Sequence, residues 1–126
     1  LGVSVQNNIK PKMTKFLNDC QCRAYFETLQ KEFEISLSGK TSDRTIRKHS
    51  AIVGLLIDFL CFDCRLQDLD DLTVGMVNSK FRKWHTSKIG DAQESELKSS
   101  VKKFFLFLEQ NKGFKNKKII DSFKKA

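Results

Sequence analysis

The segment Ser95–Phe114, SELKSSVKKFFLFLEQNKGF, decides the fold of this 126-residue chain. Its apolar residues recur at intervals of three and four, the spacing that places side chains on one face of an α-helix. The residues of that face are Leu97, Val101, Phe104, Phe105 and Leu108. Asn111 to Gly113 follow, and glycine is the residue that most often ends a helix. The segment therefore predicts an amphipathic helix that packs its phenylalanines into a core.

The same periodicity predicts four more helices, and no stretch alternates as a strand would over five or more residues. Their expected limits are Pro11 to Ser38, Ser42 or Asp43 to Cys64, Thr73 to Gly90, and roughly Lys117 to Lys125, and several of them are marked by a capping residue, proline or glycine. Asp91 is the expected cap of the helix described above. We therefore predict an all-α domain that spans residues 1–126, with residues 1–10 and 115–126 peripheral or partly flexible.

The first three of these helices have predicted apolar stripes. The first helix has two neighbouring stripes, Met13, Leu17, Cys20 and Ala24 beside Cys22, Phe26, Leu29 and Phe33. The stripes of the second and third helices are Ile46, Val53, Ile57 and Leu60, and Val74, Val77, Phe81 and Trp84. A chain of this length can bury such stripes in one core without disulfides or metals.

The charge of the chain is basic and unevenly distributed. The formal net charge is +8, and residues 73–126 contain 13 Lys and Arg against 5 Asp and Glu. Such an excess favours an anionic polymer through counterion release, although lysine-rich surfaces also serve solubility. No run of 18 apolar residues is present, so we expect no membrane span.

The cysteines and histidines predict packing rather than metal binding. Cys20 and Cys22 diverge by about 200° on a helix, which does not suit a tetrahedral site, and Cys61 and Cys64 have no histidine at ligand spacing. We expect the four cysteines to be buried, reduced thiols, and His49 and His85 to lie at the surface or its boundary. Reduced thiols and the absence of a secretory signal predict a cytoplasmic setting.

No motif of a known catalytic site occurs in the sequence. The chain has no Gly-rich phosphate loop, no His-Glu-x-x-His and no Gly-x-Ser-x-Gly. Asp70 and Asp71 lie in an acidic link and are typical of a solvated helix entry. We therefore expect neither catalysis nor a metal or other cofactor.

Four segments together resemble the N-terminal core-binding domain of tyrosine recombinases, the phage integrases. In chain order they are MTKFLNDCQCRAYFETL, SDRTIRKHSAIVGLLIDFL, LDDLTVGMVNSKFRKW and SELKSSVKKFFLFLEQNKGF. The last is similar to the final helix of that family, in which small residues precede Ser-x-Val-Arg/Lys-x-Phe-x-x-Phe-Leu and a glycine. The resemblance covers about residues 13–114.

The resemblance implies a four- to five-helix orthogonal bundle that clamps double-stranded DNA. The N-terminal turns of the second and fourth helices would face the major groove. The implied contacts are Arg44, Arg47, Lys48, Lys98 and Lys102, and Lys80 and Lys83 on the third helix complete the set of candidates. The catalytic half of a recombinase has no counterpart, because neither histidine is followed by arginine three residues later. Acidic Asp91, Glu94 and Glu96 depart from the small or basic residues of the family.

Two hypotheses follow for the function of the domain. In the first, the basic residues bind DNA, and Arg44 and Arg47 near the positive end of a helix dipole indicate a bound anion. In the second, the bundle binds another protein through an apolar patch of Phe62, Phe107 and Phe114, and the charges are an ordinary solvated surface. The spacing of Glu94, Lys98 and Lys102 also fits stabilising pairs on an exposed helix face.

Overall fold

The computed structural model describes residues 15–90, 94–114 and 116–124. Five α-helices and no β-strand lie within these ranges, which confirms the all-α fold. The helices are α1 (Asp19–Leu37), α2 (Asp43–Asp58), α3 (Phe81–Ile89), α4 (Glu94–Lys112) and α5 (Lys117–Lys124). A π-helical turn, Phe59–Asp63, extends α2, and a π-helical segment, Gly75–Lys80, leads into α3. No helix in the described ranges is long and apolar enough to cross a bilayer.

The helix α2 lies at the centre of the packing and contacts both α1 and α4. It runs antiparallel to α1, since Gln30 Nε2 in the second half of α1 donates to the Ser50 carbonyl over 2.8 Å in the middle of α2. At the other end, Arg23 forms an ion pair of 2.7 Å with Asp58. The short helix α5 packs against α4, and its buried residues are Ile119, Ile120 and Phe123.

Two of the predicted helix starts are formed by the side chains that the sequence indicates. The Ser42 hydroxyl accepts a hydrogen bond of 3.1 Å from the backbone N–H of Thr45 at the start of α2. The Thr73 hydroxyl accepts one of 3.1 Å from the N–H of Met76. Each bond satisfies a backbone donor that has no partner within its own helix. Ser42, rather than Asp43, is therefore the cap of α2.

The predicted helix ends at glycine are confirmed as well. Gly90 and Gly113 follow α3 and α4 with φ angles of 105° and 70°, a region that residues with a Cβ rarely adopt. The predicted cap Asp91 lies outside the described residues. The helix α5 occupies nearly the range expected from the sequence.

The helix α1 buries only one of its two predicted stripes. Cys22, Phe26, Leu29 and Phe33 are buried, as expected. Leu17, Cys20 and Ala24 are exposed, so the prediction for the other stripe was wrong. The described helix begins at Asp19, where the Asn18 side chain accepts a bond of 2.8 Å from the Gln21 N–H. Pro11 and Met13 lie outside the described residues. The stripe that contains Phe26 and Phe33 packs into the core, because its burial removes more apolar area from water than burial of the other stripe would.

The buried face of α3 differs from the predicted one at its C-terminal end. Val77 and Phe81 are buried as expected, but Trp84 is only half-buried. His85 takes its place and is 2% exposed, so the prediction that His85 lies at the surface was wrong. Trp84 and His85 are three and four residues after Phe81, so the helical spacing allows either one on the buried face, and the packing of the bundle places His85 there.

The face of α4 forms the centre of the core, as predicted. Leu97, Val101, Phe104, Phe105 and Leu108 are all buried, and Phe104 packs edge to face against Phe33 of α1 with ring centroids 5.4 Å apart. Phe107 is buried too, and its ring centroid is 6.4 Å from the ring centroid of Phe104. The apolar patch expected from Phe62, Phe107 and Phe114 was therefore wrong for Phe107. In α2, Ile46 is half-buried, whereas Val53, Ile57 and Leu60 are buried.

Candidate nucleic-acid interface

The first two turns of α2 present three exposed cations. Arg44, Arg47 and Lys48 lie on one side of the helix, because residues three and four apart share a face. The Lys48 ammonium is 2.6 Å from a carboxylate oxygen of Glu96 on α4. Within the described part of the chain, neither Arg44 nor Arg47 has an ion-pair or hydrogen-bond partner. These two guanidinium groups are therefore available to an external anion.

The first half of α4 lies beside these turns of α2. Besides the ion pair of Lys48 with Glu96, the His49 Nδ1 atom is 2.6 Å from the hydroxyl oxygen of Ser100. A small open hollow between the two helices is lined by Thr45, Lys48, His49, Ser95, Glu96, Ser99 and Ser100. The contacts confirm that the beginnings of the second and fourth helices are neighbours in space.

A second hollow continues the same surface along α4 toward α5. It is lined by Lys98, Ser99, Lys102, Lys103, Leu106 and Phe123, and it shares Ser99 with the first hollow. The two hollows therefore form one surface, which we call the α2–α4 face. The cations that line it are Lys48, Lys98, Lys102 and Lys103. Arg44 and Arg47 are exposed on the same two turns of α2 as Lys48 but line neither hollow.

Two of the seven candidate residues lie on a different part of the molecule. Lys80 and Lys83 line a hollow with Phe59, Asp63, Cys64 and Met76. Cys64 follows the π-helical turn, so it is 20 residues beyond Arg44, or about 30 Å along the helix axis at 1.5 Å per residue. Lys80 and Lys83 are thus separated from the start of α2, where Arg44, Arg47 and Lys48 lie.

The sequence-based reasoning missed Lys103 and the hydroxyl residues of the α2–α4 face. Glu96, Ser99, Ser100 and Lys103 recur at intervals of three and four on α4, which places them on one stripe. That stripe is polar and lies next to the apolar one, so the sequence did contain the signal. Which helix the stripe faces becomes clear only from its contacts with Lys48 and His49.

His49 lies at the boundary between this surface and the core, as predicted. Burial lowers the pKa of its imidazole, nearby Lys103 and Lys48 lower it further, and Glu96 opposes them. A lowered pKa favours the neutral imidazole at pH 7. His49 therefore adds no positive charge to the free α2–α4 face at that pH.

Metal ligation finds no support in the described residues. No group of three or more His, Cys, Asp or Glu side chains that could hold a metal ion occurs there. Cys20 is exposed and Cys64 half-buried, whereas Cys22 and Cys61 are buried against each other. The expectation that all four cysteines are buried was therefore wrong for Cys20.

No known protein family, curated protein or solved structure matches this chain. Its functional assignment therefore rests on the positions, contacts and charges of its own residues.

Proposed function

We propose that the domain is a non-catalytic DNA-binding module that holds duplex DNA against the α2–α4 face. The observation that carries the proposal is that exposed Arg44 and Arg47, unpaired within the described residues, share the first turns of α2 with Lys48, while lysines line the adjoining hollow on α4. These cations come from two helices whose beginnings are in contact. A surface of this kind can follow a phosphate backbone over several nucleotides.

The electrostatics of α2 support an anionic partner at this place. The N-terminus of a helix carries a partial positive charge, so arginines in its first turns cost up to about 1 kcal/mol without a counter-charge. Asp43, also in the first turn, offsets part of that cost. A phosphate placed between Arg44 and Arg47 would remove the remaining repulsion and accept hydrogen bonds from both guanidinium groups.

The proposed arrangement agrees with the resemblance to the core-binding domain of tyrosine recombinases. In that arrangement the N-terminal turns of α2 and α4 approach the major groove, and phosphate contacts set the position of the protein. Arg44 and Arg47 are the residues suited to contact bases, because a guanidinium can donate two hydrogen bonds to guanine. Lys98, Lys102 and Lys103 are then contacts to the backbone.

The test is a titration of a fluorescent DNA duplex with the protein at several salt concentrations. Each phosphate that is neutralised contributes about −0.9 to the slope of log affinity against log salt, so five contacts give about −4.5. We expect binding at low salt with a slope of this size. No binding at low ionic strength would refute the proposal and favour a protein-binding bundle.

A pair of double variants locates the binding surface. Arg47→Glu with Lys102→Glu should remove most of the binding, because Arg47 is one of the two exposed arginines at the start of α2 and Lys102 lies on the α2–α4 face. Lys80→Glu with Lys83→Glu is the matched control: it changes the net charge equally at the distant hollow and should retain most of the affinity. Equal losses in the two variants would show that net charge, and not the α2–α4 face, determines binding.

A further inference from the structure

Two thiols from distant parts of the chain meet in the core between α1 and the end of α2. Cys22 of α1 and Cys61 of the π-helical turn are both 0% exposed. Their Sγ atoms are 2.7 Å apart, with Cys61 as the donor of a weak S–H hydrogen bond. Both are free thiols in this structure. Two cysteines could fill this part of the core simply as small apolar residues. Filling the core does not by itself require their sulfur atoms to lie this close together.

The backbone on both sides of the thiol pair is held by other contacts. Arg23, the residue after Cys22, forms its 2.7 Å ion pair with Asp58, which lies three residues before Cys61. One turn nearer the chain start, Asp19 pairs with Arg65 over 3.2 Å. These ion pairs join α1 to the end of α2 and to the residue Arg65 just beyond it, on either side of the sulfur atoms. An S–S bond of about 2.05 Å could therefore form with little movement of either helix.

We propose that Cys22 and Cys61 are a disulfide site, which joins α1 to the end of α2 when the protein meets a low-molecular-weight disulfide such as oxidised glutathione. One cysteine, as its thiolate, attacks the small disulfide and releases one small thiolate. The other cysteine, after losing its proton, attacks the mixed disulfide and releases the second. Two protons and two electrons pass from the cysteines to the small disulfide, which leaves as two thiols. This proposal is independent of DNA binding.

The position of the pair makes the reaction slow and the product stable. Burial raises the pKa of the Cys61 thiol, and the thiolate is the form that reacts. Burial also raises the pKa of Cys22. Exchange therefore requires local opening of the helix pair. Once formed, the bond spans a sequence separation of 39 residues, and a loop of that size removes considerable entropy from the unfolded chain.

The test uses the full chain with Cys20→Ser and Cys64→Ser, in which Cys22 and Cys61 are the remaining cysteines. The folded protein is equilibrated with mixtures of reduced and oxidised glutathione, alkylated under denaturing conditions and weighed by mass spectrometry. We expect a monomer that takes up no alkyl group and is about two mass units lighter than the reduced chain, because the bond forms with loss of two hydrogens. Its Tm should be higher than that of the reduced form by on the order of 10 °C.

A further variant and a second measurement complete the design. Adding Cys22→Ala should abolish both the mass loss and the effect of oxidised glutathione on Tm. If the double serine variant does not fold, the original chain is oxidised and digested, and the expected product is a linked pair of peptides that contain Cys22 and Cys61. Free thiols at every glutathione ratio, glutathione adducts alone, linked dimers alone, or an oxidised form with a lower Tm would each overturn the proposal.

Discussion

Replacing Phe104 with alanine should lower the free energy of unfolding by about 3–5 kcal/mol, the range for deleting a buried phenylalanine side chain. Phe104 is 1% exposed, and its ring packs against Phe33, Phe105 and Phe107. Truncation would leave a cavity where α1 and α4 meet, and the neighbouring rings cannot all move to fill it. Urea denaturation followed by circular dichroism measures the loss.

Phe62→Ala is the matched control for this prediction. The same atoms are deleted, but Phe62 is 44% exposed in the π-helical turn that follows α2. Its loss should be smaller, about 1 kcal/mol, because nearly half of the residue stays in contact with water in the folded protein and its removal leaves no enclosed cavity. Equal losses for the two variants would contradict the assignment of Phe104 to the centre of the core.

Much of the fold could be predicted because its information is local. The face of α4, the Ser42 and Thr73 caps and the glycines that follow α3 and α4 depend on residues within a few positions of one another. The two stripes of α1 are also local, but the choice between them is not. It depends on which stripe meets the aromatic residues of α4, and spacing within α1 contains no such information.

The errors at α3 have a different physical origin. Trp84 and His85 are three and four residues after Phe81, so an α-helical period allows either one on the buried face. Which of them is buried depends on the residues packed against α3, and the structure buries His85. Histidine is also less hydrophobic than tryptophan, so hydrophobicity favours Trp84 for the buried face and leads to the same wrong prediction.

The residues of the candidate site could be predicted from the sequence, but which of them lie near one another could not. Basic residues at the starts of the second and fourth helices stand out in the sequence, and contacts such as that of Lys48 with Glu96 bring them together. Lys80 and Lys83 look equivalent by charge, yet α3 carries them to the far end of α2. The meeting of Cys22 with Cys61 is likewise a property of helix packing, which sequence spacing does not report.

Replacing His85 with leucine should stabilise the domain by about 1–3 kcal/mol, the cost of a buried polar group without a hydrogen-bond partner. Among the described residues, the His85 Nε2 atom has no such partner, and the ring packs edge to face against Phe81. Leucine has a similar volume and fits the same apolar surroundings. Thermal and urea unfolding at pH 7.5 measure the gain.

The same substitution should also change how stability depends on pH. Burial lowers the pKa of His85 from the ordinary value of 6.5, so the unfolded chain binds a proton at this residue more readily than the folded one does. The contribution of neutral His85 to the free energy of unfolding is therefore fully present above pH 6.5 and is lost as the pH falls below that value. The loss for one proton is at most about 1.4 kcal/mol per pH unit. His49→Gln is the control, because the pKa of His49 is lowered too and its removal should leave the contribution of His85 intact. Between pH 7.5 and 5.5, His85→Leu should lose less stability than the parent, because its folded and unfolded states no longer differ in proton binding at residue 85. A profile identical to the parent's would mean that His85 is protonated equally in both states and is not buried as described.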